Sequence, residues 1–152
     1  MSDRPQTEAE IRAANDAMAA RILAMPAQPY QDGSYTLRVV EIRGRKSGEP
    51  IRLPIAVVQM EGERYLVSPT RQRSWAKNLL AARALTVMAG GLTEQYSAEI
   101  AAPAKAVPVL RFYVGQLTFA APQFPFALSD SDDQIAAQLD KMAVFHLVRE
   151  DV

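Results

Sequence analysis

Apolar positions along the chain follow two periods. Ile11, Ala14, Met18 and Ile22 recur at three- and four-residue spacing, which predicts a helix. Thr7-Glu8-Ala9-Glu10 has the form of a capping box at its start, and Pro26 and Pro29 end it. Such a helix is expected to cover a core with its apolar face, and its amphipathic character also leaves a peripheral membrane contact open.

After Asp32-Gly33-Ser34 the pattern changes to strands. Thr36 to Arg43 is rich in β-branched residues, and Gly44-Arg45-Lys46-Ser47-Gly48-Glu49-Pro50 is a turn by composition. Ile51 to Met60 reads as a second strand, with Pro54 favouring an edge or a bulge. Glu61-Gly62-Glu63 makes a hairpin into a third strand, Arg64 to Ser68, so the second and third strands are antiparallel. Gln72 to Ala82 is a predicted helix. Leu85 to Ala89 and Tyr96 to Ala101 are strands around the Gly90-Gly91 turn. Val107 to Leu117 is a helix with Pro108 in its first turn, and Thr118 to Leu128 is an ordered loop. Ser131 starts a helix that runs to about Met142, and Ala143 to Val148 is the last strand.

The result is about six strands joined mainly by short turns, with three or four helices. That excludes a doubly wound parallel sheet and favours an α+β, mainly β fold: a small antiparallel barrel or strongly curved sheet with peripheral helices. Residues 1–152 read as one domain, with a helix and linker over 1–29 and a barrel over 36–148.

Composition removes whole classes of chemistry. Of 152 residues none is Cys and one is His, which excludes disulfides, thiolate metal sites, a Cys nucleophile and a multi-histidine metal centre within one subunit. No glycine-rich nucleotide fingerprint, P-loop or nucleophile elbow is present. His146, between apolar neighbours in the last strand, reads as structural. Asp130, Asp132 and Asp133 read as a solvated helix start rather than a metal site. No segment has the length and hydropathy of a transmembrane span. The start MSDRPQTEAE lacks the pattern of a signal peptide, so a cytoplasmic location is expected.

Net charge is +0, yet it is unevenly spread. Arg38 to Lys77 carries nine basic and four acidic residues, whereas Glu94 to Val152 carries four basic and eight acidic. Few aromatics interleave with these cations, which argues against a nucleic-acid strand. The excess suggests a compact anion site instead. Arg45, Lys46 and Ser47 sit in a glycine-flanked turn that can present N–H groups and a bidentate guanidinium. Arg52 follows on the next strand. Thr70 and Arg71 precede a helix start, itself attractive to anions. Trp75 is either a core anchor or an aromatic wall beside a planar ligand, with Asn78 one turn on.

The ordered run Gly44-Arg45-Lys46-Ser47-Gly48, Pro54, Gly62 and Trp75 to Leu79 resembles the deazaflavin-dependent nitroreductase family, whose members use coenzyme F420. The resemblance implies a split β-barrel of the flavin-reductase type, often dimeric. It also implies a reductase moving a hydride from reduced F420 to a small organic acceptor such as a quinone, nitroaromatic or enone. By the resemblance, Arg45, Lys46 and Ser47, with Arg52 nearby, are expected to hold the cofactor's phosphate and oligoglutamate tail. The strand around Pro54 would border the ring, and Trp75 and Asn78 would line the same groove. Where the family has A-S-K-G-G this chain has Ser68-Pro69-Thr70-Arg71-Gln72, which keeps a hydroxyl and a cation in Thr70 and Arg71 but not the glycines. FMN or FAD is therefore the alternative cofactor, and a non-catalytic anion-binding module the alternative class. Tyr30, Tyr35, Ser68 and Tyr113 are candidate proton donors, and Phe112 to Phe126 a candidate substrate wall, with core packing an equal reading for that stretch.

Overall fold

A computed structural model of the chain describes residues 6–150. The first five residues, part of the start read above, and the last two lie outside the described residues. Six strands form a closed barrel: β1 (Ser34–Arg43), β2 (Pro50–Met60), β3 (Glu63–Ser68), β4 (Ala84–Ala89), β5 (Leu92–Ile100) and β6 (Ala143–Arg149). Their order is β1-β2-β3-β6-β5-β4, and every neighbouring pair is antiparallel. Four α-helices surround it: α1 (Glu8–Ala24), α2 (Ser74–Ala82), α3 (Pro103–Gln116) and α4 (Asp132–Ala136).

The turns explain the hairpins. Glu61 and Gly62 have φ of 52° and 77°, the pair of positive values that a tight primed turn requires between twisted strands. The Asp32 carboxylate accepts hydrogen bonds from Gly62 N–H at 2.7 Å and Gln59 Nε2 at 2.9 Å, tying the entry to β1 onto this hairpin. Those two bonds hold the Asp32 carboxyl below its ordinary range.

The barrel is not evenly laced. β1 and β2 pair along their whole lengths, but β2 meets β3 only over Val58 to Met60, and β1 meets β4 only over Val39 to Glu41. The first part of β2 therefore has no β3 partner. Pro54, which has no N–H to donate, lies within that unpaired stretch.

Two cores result from the two-residue alternation of the strands. Inside the barrel, Val40, Ile42, Val57, Leu66, Val87 and Phe145 pack against Ala76 and Leu79 of α2. On the outer face of β2, β3 and β6, Ala56, Val58, Val67 and Val144 pack against Val107, Leu110 and Val114 of α3 and Ile135 of α4. The Ala76/Leu79 spacing explains why so short a helix stays seated: both side chains are wholly buried, and the Leu79 side chain alone is worth about 2–5 kcal/mol against Ala.

Several expected boundaries shift. α3 starts at Pro103, so Pro103 fills the first-turn role and Pro108 lies inside the helix. β5 starts at Leu92, because the Gly90-Gly91 turn pairs Ala89 directly with Leu92. The predicted helix from Ser131 to about Met142 stops at Ala136, then a 3-10 turn spans Leu139–Lys141. Its capping box between Ser131 and Gln134 is present. α1 is capped by Thr7 as expected, yet none of its residues is buried; Ile11 and Met18 remain 45% and 38% exposed. Its apolar stripe is narrow and broken by alanines, so it rests on the barrel rather than sinking into it. At its end the chain crosses the β4–β5 turn so closely that a Cβ on Gly90 would lie 1.8 Å from Met25 O.

Among the described residues, no helix is long and apolar enough to cross a membrane.

Candidate functional site

The groove with the predicted chemistry lies where β2 departs from β3. A cavity of about 500 Å³ is bounded by Ile42, Ile51, Arg52 and Leu53 of the β1–β2 pair and by Ser74, Trp75 and Asn78 of α2. Glu8, Ile11, Arg12, Asn15 and Asp16 of α1 close it. Arg52, Trp75 and Asn78, three residues expected from sequence, thus share one wall.

Asn78 connects this wall to the basic turn. Its Oδ1 accepts the backbone N–H of Arg45 at 3.1 Å and Arg45 Nη1 at 2.7 Å, and Nη1 also lies 3.5 Å from Ser74 O. Asn78 is only 4% exposed, so its carboxamide fixes the turn from below while the guanidinium stays at the surface. The turn is braced by Gly48 N–H to Gly44 O at 2.9 Å and Gly44 N–H to Glu49 O at 2.8 Å. Gly44 is closely packed there: a Cβ would sit 2.7 Å from Ser47 Oγ and 2.9 Å from Ile51 Cδ1, so those side chains would have to shift. Ser47 Oγ accepts from Glu49 N–H at 3.1 Å, and Lys46 is exposed.

The start of α2 supplies a second element. Its N-cap, Arg73, makes no side-chain capping bond, and its first turn holds no acidic residue. The first N–H groups of that helix therefore lack the side-chain acceptor that usually satisfies them. The Trp75 ring packs 5.8 Å from Phe145 in the core, and the residue also lines the groove.

Arg52 is already paired at the cavity, with Glu41 at 2.7 Å, and the remaining candidates lie elsewhere. Pro54 does not line the cavity. Thr70 Oγ1 accepts Gln72 N–H at 3.1 Å within its own loop. Arg71 clamps main chain instead: its Nε donates to Met142 O at 2.6 Å and Nη2 to Leu139 O at 3.2 Å. The segmental charge excess is dispersed as well, since Arg38 and Arg64 join an internal cluster at the far end of the barrel. There the Glu94 carboxylate accepts from Tyr30 Oη at 2.6 Å, Arg64 at 3.3 Å and Arg149 at 2.8 Å. Burial, then the bond to Glu94, pushes the Tyr30 phenol well above its ordinary range.

None of Tyr30, Tyr35, Ser68 and Tyr113 lines the groove; Ser74 is the hydroxyl that does. Phe124 and Phe126 are buried in the outer core, while Phe119 is 78% exposed. His146 stacks on Tyr65, lies 3.2 Å from Glu63 and does not line the groove. Among the described residues no acidic or histidine cluster could hold a metal, and Asp132 pairs with Arg111. The α1 residues of the groove carry no local signal in sequence, since Glu8, Arg12 and Asp16 read as an ordinary solvated face.

No family model and no curated protein matches the chain. Solved structures of low identity share the fold. An F420-H2 dependent reductase (FDR-A) superposes with a TM-score of 0.54 at 17% identity, over 80% of this chain and 99% of that one. A protein described as a domain-swapped dimer gives 0.56 at 15% identity, over 93% and 95%. Atu2129 of Agrobacterium tumefaciens, of unknown function, gives 0.55 at 13% identity, over 99% of this chain and 57% of its own. What these structures share with the chain is the fold, an α+β arrangement of a closed six-stranded antiparallel barrel with peripheral helices.

Proposed function

We propose that this chain is an oxidoreductase that binds F420 in the groove between α1, α2 and β2 and reduces a small organic acceptor. The observation that carries the proposal is a cavity lined by an uncapped helix start, an aromatic wall and Asn78, whose carboxamide holds the Arg45 guanidinium of the adjoining basic turn. These groups suit the parts of the cofactor: a phosphate for Arg45, Lys46, Ser47 and the α2 N–H groups, and a planar ring for Trp75 and Leu53. The likeness to a reductase named for F420-H2 supports the same reading. When bound, the deazaflavin supplies the hydride. The chain's own residues then bind, orient and exclude water, which needs no catalytic triad, and Ser74 is the hydroxyl placed to hold a proton at the cavity wall. The same reading includes a homodimer, which light scattering tests directly.

One observation favours FMN or FAD as a second reading. Glu8 and Asp16 oppose Arg12 and Arg52 around the cavity, so its lining is neutral rather than strongly cationic. A less highly charged cofactor is then the better complement. Fluorescence titration with F420 and with FMN separates the two, and loss of binding in Arg45→Ala/Lys46→Ala ties either one to this groove.

A further inference from the structure

A second cavity, of about 540 Å³, lies at the other end of α1. Its walls are mainly apolar: Ile22, Met25, Pro26, Leu37 and Ala89 line it, together with Arg38. Arg38 is unusual there because it is only 2% exposed. Its Nη1 lies 3.5 Å from Leu37 O, and its Nη2 donates to Gln28 O; both Leu37 and Gln28 belong to the cavity wall. Its Nε reaches Tyr30 Oη at 3.3 Å, and its guanidinium carbon stands 4.4 Å from the Tyr30 ring centre. All these acceptors are neutral, since burial keeps the Tyr30 phenol protonated. The nearby carboxylate of Glu94 is engaged by Arg64, Arg149 and Tyr30 rather than by Arg38.

Buried charges are ordinarily paired with an opposite charge, because neutral hydrogen bonds recover only part of the hydration lost. Arg38 is itself a residue of this apolar cavity's wall, with Nη1 and Nη2 held at the carbonyls of two further wall residues, and a guanidinium so held is complementary to one planar anion on a hydrophobic body. We propose that this cavity binds a small organic monocarboxylate with a compact apolar body. A single negative charge neutralises Arg38, and the aliphatic lining takes the remainder of the ligand. The site is separate from the groove at Asn78, so it stands whether or not that groove holds a deazaflavin.

Titration of the full chain with cyclohexanecarboxylate and with the isosteric cyclohexanecarboxamide, followed by amide NMR shifts, tests this. The acid is expected to move the Leu37, Ala89 and Gly90 amides and to bind about 10- to 100-fold more tightly than the amide, as a charge-assisted bond implies. Arg38→Gln should level the two ligands. Should that variant fail to fold, Ile22→Trp fills the cavity from its partly exposed rim and should abolish the shifts. Equal affinity for acid and amide, shifts centred on Arg45 and Asn78, or no binding of the acid would overturn the proposal.

Discussion

Replacing Asn78 with Ala removes the α2 side chain that holds both the backbone and the guanidinium of Arg45. Two hydrogen bonds are lost, from Arg45 N–H at 3.1 Å and Arg45 Nη1 at 2.7 Å. The backbone bond is worth about 1 kcal/mol, and the guanidinium bond about 1 kcal/mol once its exposure is allowed for. The expected loss is about 2 kcal/mol, which lowers Tm by roughly 4–8 °C in a chain of this size. Arg45→Met removes the guanidinium contacts to Asn78 and Ser74 O and leaves the backbone bond. A thermal double-mutant cycle between the two should therefore return a coupling of about 1 kcal/mol. In the folded Asn78→Ala protein the freed guanidinium loses its position, so affinity for a phosphate-bearing cofactor should fall about 10-fold. A coupling near zero, with Asn78→Ala costing the same in either background, would refute the view that Asn78 acts through Arg45.

Other predictions follow from separate parts of the molecule. Gly90→Ala places a Cβ against Met25 O and should lower stability by more than about 2 kcal/mol in urea unfolding, as the linker is forced off the β4–β5 turn. Arg71→Gln should cost about 2 kcal/mol by releasing the Met142 and Leu139 carbonyls, with cofactor affinity of the folded variant unchanged in the same titration. Burial, then the bond to Glu63, pushes the Tyr65 phenol up to about 12, and burial raises Tyr30, Tyr96 and Tyr113 in the same direction. The folded chain therefore holds phenolic protons that the unfolded chain releases near pH 10. Stability should be complete below about pH 10 and fall as pH rises towards 12, with Tyr65→Phe showing a shallower alkaline loss of Tm.

The barrel was legible where local chemistry decides structure. β-branched runs and glycine turns marked β1 to β3, and the Glu61-Gly62 turn fixed their antiparallel return. Helix lengths were less legible because packing sets them. Nothing local in Asp132 to Met142 says that the chain must break at Ala136 and lead into β6. The basic excess misled for a related reason, since a count of charges along the chain carries no direction. In Thr36, Arg38, Val40 and Ile42 the two-residue alternation already marks Arg38 as inward, but its partner Tyr30 and the neighbouring Glu94 come from distant segments. Arg71 looked like a ligand for a phosphate because its carbonyl partners lie in Leu139 and Met142. Trp75 and Asn78 both line the groove. That Asn78 serves Arg45 is a tertiary fact, as is the contribution of α1 to the groove.

A cofactor held at the Arg45–Asn78 end of the groove is tested most directly by one titration. Purified wild-type protein and the Arg45→Ala/Lys46→Ala variant are each titrated with F420, and in parallel with FMN, by fluorescence. The prediction is submicromolar F420 binding to the wild type that weakens at least about 30-fold in the variant, through loss of two charged phosphate contacts. Binding of neither cofactor, or binding equally tight in both proteins, would contradict it.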